Sequence, residues 1–123
     1  MKILLTILTV MFVVLNLQAK IIYTDPVRNS ELVSINNNII IGFDETIRNS
    51  DLNSLISVKG SISGVHSGQI IITKDRKKFI FKPFQPFVFN ETVEVRINNI
   101  KTSRTSDNSM SFSFRTQTGR PEF

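Results

Sequence analysis

Cysteine is absent from the 123 residues, which excludes disulfides, thiolate metal sites, cysteine nucleophiles and the lipidated cysteine of a bacterial lipoprotein. Stability must come from packing. Tryptophan is also absent and tyrosine occurs once, as Tyr23, which argues against a carbohydrate platform of exposed aromatic rings. The single histidine, His66, is the only residue on which a Ser-His-Asp triad or a histidine-based metal site could be centred. It sits in the run Ser63-Gly64-Val65-His66-Ser67-Gly68 with no distinctive nucleophile motif beside it, and reads as a solvent-exposed loop histidine. Neither an EF-hand loop nor a phosphate-binding glycine loop is present, and no stretch of useful length keeps a helical period.

What is present begins with a targeting signal. Met1 and Lys2 supply positive charge, Ile3 to Leu15 is apolar except at Thr6 and Thr9, and Asn16-Leu17-Gln18-Ala19 ends in a small residue. This pattern predicts a secretory signal peptide over residues 1–19, cut after Ala19, and so an exported protein of the periplasm, cell surface or medium. The apolar run is shorter than the roughly 20 residues that span a bilayer, so no transmembrane span is expected after cleavage. The remainder is close to the roughly 100 residues of one β-sandwich domain, placed at 20–117. Residues 118–123, with Gly119 and Pro121, read as a linker or tail.

Strict alternation of apolar and polar residues marks Val93 to Ile97 and Met110 to Thr116 as strands with one face on a core. In Phe79-Ile80-Phe81-Lys82-Pro83, Phe79 and Phe81 share an inward-facing period of two. Between Pro83 and Val93, Pro83 and Pro86 rule out a continuous ladder, so the segment holding Phe84, Phe87 and Phe89 is expected to bury its three rings while crossing between sheets. Earlier in the chain, Lys20 to Thr24 predicts an edge strand stopped by Asp25-Pro26. Leu32 to Ile35 offers a few further strand residues, Asn36-Asn37-Asn38 a reversal, and Ile39 to Phe43 a central strand. Ser50 to Leu55 suggests one helical turn capped by Ser50. Ile56 to Gly60 and Gln69 to Thr73 complete about seven strands, which implies an all-β sandwich.

The order of these signals resembles the bacterial Ig-like domain of the S-layer (SbsA) type. The resemblance rests on Asp25-Pro26, on Asn38 to Phe43 followed by Asp44-Glu45, on Phe79 to Pro83, on Phe87 to Ile97 and on Phe112-Ser113-Phe114-Arg115-Thr116. Asn90 stands where that family usually has a turn glycine, and Val93 where it usually has a tyrosine. The resemblance implies an immunoglobulin-like sandwich acting as a spacer, stalk or interaction module without catalytic residues or cofactors, whose partners are neighbouring domains or envelope components.

The remaining candidates for chemistry carry little. Adjacent Asp44 and Glu45 point to opposite faces in an extended chain, so they do not converge as glycosidase carboxyls must, and they read as turn-forming, solubilising residues. Lys74-Asp75-Arg76-Lys77-Lys78, with Lys82 nearby, reads as a solvated hairpin tip with weak, salt-sensitive attraction to polyanions and no specific nucleic-acid site. Asn90-Glu91-Thr92 fits a glycosylation sequon, a short and common pattern. No catalytic, cofactor-binding or metal-ligating residue is assigned. The expectation is a non-enzymatic module of a secreted or envelope protein, with the amino-terminal accessory domain of a larger secreted enzyme as the alternative.

Overall fold

The computed structural model describes residues 21–102 and 108–119. The predicted signal peptide, part of the 101–109 connection and the last residues of the tail lie outside the described residues. Among the described residues the chain forms eight strands and no helix: β1 (Ile21–Asp25), β2 (Ile39–Phe43), β3 (Ile56–Gly60), β4 (Gly64–His66), β5 (Gly68–Ile72), β6 (Lys78–Pro83), β7 (Thr92–Ile100) and β8 (Asn108–Arg115). They make two four-stranded sheets, ordered β1-β2-β6-β5 and β4-β3-β7-β8, with every neighbouring pair antiparallel. The expected all-β sandwich is therefore observed.

Period two decides which side chains enter the core. Val93, Val95 and Ile97 on β7 face inward with Phe112 and Phe114 on β8, and they meet Ile39, Ile41 and Phe43 of β2 and Phe79 and Phe81 of β6 from the other sheet. All are buried. Each such side chain contributes about 1.5–3 kcal/mol, which is how a chain without disulfides holds two sheets together. Phe43 and Phe79 stack across β2 and β6 at 6.1 Å, and Phe87 meets Phe114 edge to face at 5.8 Å.

Several local expectations are corrected. The eighth strand is β4, which the sequence placed in a loop. It is only three residues long, pairs with Val58–Gly60 of β3, and is separated from β5 by Ser67 alone, so nearly continuous extended chain passes from one sheet to the other. Residues 53–55 form a turn rather than a helical turn, and Asp51, not Ser50, ties it: its carboxylate accepts from the Asn53 amide at 3.1 Å and the Ser54 hydroxyl at 3.3 Å. Residues 32–35 give one parallel bridge, Val33 with Thr116, instead of a strand. With the Asn29 and Arg115 amides bonded to Ser113 and Ser30, that segment covers the outer edge of β8. Of the three rings in the crossover only Phe87 is buried; Phe84 and Phe89 are 68% and 40% exposed, because the prolines break the period that would have turned them inward.

Candidate functional site

One end of the sandwich gathers a serine, a histidine and a glutamate. β7 carries its inward phase one step upstream of the strand, so Glu91 occupies the next core position before Val93, Val95 and Ile97 and is fully buried. The hairpin between β3 and β4 brings Ser63 to it. That hairpin has a three-residue loop, Ser61-Ile62-Ser63, closed by Gly64 at a φ of 79°, a left-handed conformation that glycine adopts without strain. Asn90 precedes the glutamate at a φ of 61°, so asparagine does fill the left-handed turn position where a glycine is usual. Gly60 completes the space: a Cβ there would collide with the Glu91 carboxylate and the Ser63 hydroxyl.

The carboxylate is saturated with donors. Glu91 Oε1 accepts from the amides of Ile62 at 3.0 Å and Ser63 at 2.9 Å, and Oε2 from the Val88 amide at 2.5 Å. The Ser63 hydroxyl donates to the same carboxylate, at 2.8 Å from Oε2 and 3.0 Å from Oε1. The Glu91 amide bonds the Thr116 hydroxyl at 2.9 Å, and that hydroxyl donates to the Val88 carbonyl at 2.6 Å. Burial pushes the Glu91 carboxyl up, but the amides of Ser63, Val88 and Ile62 and the Ser63 hydroxyl together outweigh it and hold the group below its usual 4.5. It is an ionised clamp joining the crossover, the β3–β4 loop and the end of β8.

His66 lies on β4 rather than in an exposed loop. Its ring is partly buried, packs 4.7 Å from Phe87, and places Nε2 2.6 Å from the Ser63 hydroxyl. Counting protons fixes the direction of that bond. Ser63 has one hydroxyl proton and directs it to the ionised Glu91, which can only accept, so Nε2 carries the hydrogen and donates to Ser63. A nucleophilic serine needs the reverse, a histidine nitrogen accepting its proton, with the acid behind the histidine. Here the serine stands between the other two. Glu91 is itself a poor base, because its oxygens already serve three amides.

The remaining candidates do not converge. Asp44 is exposed, whereas Glu45 is buried and accepts from the Thr102 hydroxyl, which corrects its reading as a solubilising turn residue. The Lys74–Lys78 stretch does form the hairpin between β5 and β6, but its charges are partly committed. Arg76, at a φ of 57°, donates from Nε to the Ile47 carbonyl at 2.9 Å and from its terminal nitrogen to the Asn49 carbonyl at 3.1 Å. Asp75 turns back onto Thr73 and the Lys77 amide, which hold its carboxyl below the ordinary value, and Lys78 places its ammonium 5.3 Å from the centre of the Tyr23 ring. Among the described residues no cluster of three or more acidic or histidine side chains could hold a metal ion.

Sequence reasoning missed Ser63 as a partner and met Glu91 only inside the sequon. A signal was available: Glu91 is in phase with Val93, Val95 and Ile97, and Glu45 in phase with Ile39, Ile41 and Phe43, so each is a carboxylate written into a core face.

The model of the bacterial Ig-like domain matches residues 16–116. The chain belongs to that family. Among solved structures this Ig-like domain is similar to the copper resistance protein PcoC of Escherichia coli, at 14% identity and a TM-score of 0.60 over 79% of this chain and 98% of that one. It is similar to domains 1–6 of the surface layer protein SbsC, at 10% identity and a TM-score of 0.62 over 87% of this chain and 15% of that one. L,D-transpeptidase 3 of Mycobacterium tuberculosis matches at 19% identity and a TM-score of 0.52, over 78% of this chain and 36% of the enzyme. The Ig-like domain thus spans a small part of the surface layer protein and about a third of the transpeptidase. No curated protein matches the sequence.

Proposed function

We propose that this chain is a non-catalytic Ig-like module, of the S-layer (SbsA) type, serving as a spacer or interaction domain in a bacterial secreted or cell-envelope protein. The observation that carries the reading is the proton count at Ser63. The one constellation of catalytic residue types among the described residues spends its proton, its lone pairs and its charge on joining the crossover, the β3–β4 loop and the end of β8. Residues 1–19 act as the signal peptide, and residues 20–117 as the module that follows. The exposed Lys74, Lys77 and Lys82 give a weak attraction to polyanions that salt removes.

A fluorophosphonate, which labels activated serines, tests the first part. Intact mass should be unchanged after exposure, and a covalent adduct on Ser63 lost in His66→Ala would overturn the reading. Mass spectrometry of the exported protein tests the second, with a species beginning at Lys20 expected and one retaining Met1 contradicting it.

The similarity to about a third of a transpeptidase chain favours a second reading, an accessory domain of a larger secreted enzyme. Sequencing the reading frame beyond the codon for Phe123 distinguishes it, since a catalytic domain in the same frame supports the amino-terminal accessory role and a stop codon directly after Phe123 removes it.

A further inference from the structure

The outward face of the first sheet does not resemble a face made for water. Register places Ile40 of β2 opposite Ile80 of β6, and Ile80 opposite Ile71 of β5, so three isoleucines form one continuous row over three strands on the side away from the core, ended on β1 by Asp25, which pairs with Ile40. All three are half-buried, neither enclosed nor fully exposed. The next row holds Tyr23, Gly42 and Lys78, and the row on the other side pairs Lys82 with Gln69. Gly42 lets the Tyr23 side chain and the Lys78 stem approach each other, since a Cβ there would stand 3.2 Å and 3.4 Å from them. The result is an apolar strip bordered by two lysines and a tyrosine that is 46% exposed. The sequence carries the same message independently. Ile39-Ile40-Ile41, Ile70-Ile71-Ile72 and Phe79-Ile80-Phe81 are unbroken apolar runs, the pattern of strands covered on both faces.

We propose that this face is a docking surface for an acidic protein segment, whose apolar side chains lie on the Ile40–Ile80–Ile71 row and whose carboxylates meet Lys78 and Lys82. The inference deepens the reading of the chain as an interaction module by naming the surface and the chemistry of the partner. The charge selects the occupant. The border lysines Lys78 and Lys82 outnumber the one carboxylate, Asp25, at the end of the row, and the chain's net charge is +5, so an acidic segment meets this face more favourably than a second copy does. A bilayer is disfavoured because the isoleucines are half-buried between lysine stems rather than exposed. Tyr23 at the rim is the kind of residue that concentrates binding energy, and its ring already holds the Lys78 ammonium in place.

The test uses the full chain with isoleucine-methyl labelling and a synthetic peptide of about ten residues that alternates leucine with glutamate. Saturable shifts are expected at Ile40, Ile71 and Ile80, with binding weakened at least about tenfold in Ile80→Ser and in the Lys78→Glu, Lys82→Glu double variant, each checked for retained dispersion of core methyls such as Ile41. The same peptide with lysine in place of glutamate should not bind. Equal binding of both peptides, shifts confined to the second sheet, or no shift at millimolar peptide overturns the proposal. So does sedimentation with phosphatidylglycerol vesicles in the absence of peptide binding, or a stable dimer in velocity sedimentation. None of these outcomes bears on the fluorophosphonate experiment, so a failed docking surface and a failed non-catalytic reading are separable.

Discussion

At the centre of the second sheet the outward row runs Ser57, Arg96, Ser111, and the next runs Lys59, Glu94, Ser113; at the centre of the first it runs Ile40, Ile80, Ile71. Both sheets bury an equally apolar inner face, so the core does not explain the difference. A sheet with one face in water must alternate, and β3 and β8 do so, as does β7 from Thr92 to Ile97, ahead of the bulge that precedes Ile100. β2, β5 and β6 do not, and Ile40, Ile80 and Ile71 on their outer side are half-buried rather than enclosed. The contrast separates residues that specify the fold from residues whose reason lies outside it. In the second sheet the outward side chains satisfy solubility and a local Glu94–Arg96 ion pair. In the first they spend β-branched apolar area where folding requires none.

The largest effect that would sharpen this contrast is expected inside the core. Val95→Asp places an unpaired carboxylate at a fully buried position of β7 and should abolish cooperative unfolding, read as loss of a urea transition by circular dichroism. Retention of a native transition would break the inward register of the second sheet. Gly60→Ala comes next. Its methyl group must displace the Glu91 carboxylate, and a loss of about 2–3 kcal/mol in the same experiment is expected, against near neutrality if the clamp is loose. On the outer faces the effects shrink. Ile80→Thr should cost less than about 1 kcal/mol, because the side chain is only half-buried and threonine suits a strand, while partner binding falls much further. A cost as large as that of a core substitution would show that the isoleucine row serves stability after all. Arg96→Ser should be the mildest, within about 0.5 kcal/mol, since it removes only an exposed ion pair.

Period two made most of this fold legible in the sequence, because it assigns faces without any knowledge of partners. It recovered the core of β2, β6, β7 and β8, while the Asp25-Pro26 stop gave the edge position of β1 and the run of charge gave the basic hairpin. It failed where local signals are short or broken. Three residues of β4 with one linking residue to β5 leave no room for alternation to declare itself, so the strand that changes sheets read as a loop and His66 as exposed. Two prolines removed the phase information for Phe84 and Phe89. The clamp was half legible. The phase of Glu91 and Glu45 within their strands marks both as buried carboxylates, but their partners are distant in sequence, Ser63 by 28 residues and Thr102 by 57, and no spacing rule connects them.

The central claim is that Ser63, His66 and Glu91 form a structural clamp, and the pH dependence of stability tests it most directly. Because the Glu91 carboxyl is held below its usual value in the folded state, the unfolded chain takes up the proton first on acidification. The clamp's contribution is therefore complete above the ordinary glutamate range and is lost as pH falls through the depressed folded value. Glu91→Gln keeps the shape but sets an amide N–H₂ against backbone donors whichever way it turns, so it should be about 2 kcal/mol less stable at pH 7. Urea unfolding of both proteins between pH 7 and pH 3 should give a gap that is widest at neutral pH and closes on acidification. Parallel curves, with the gap constant or absent throughout, would contradict the clamp.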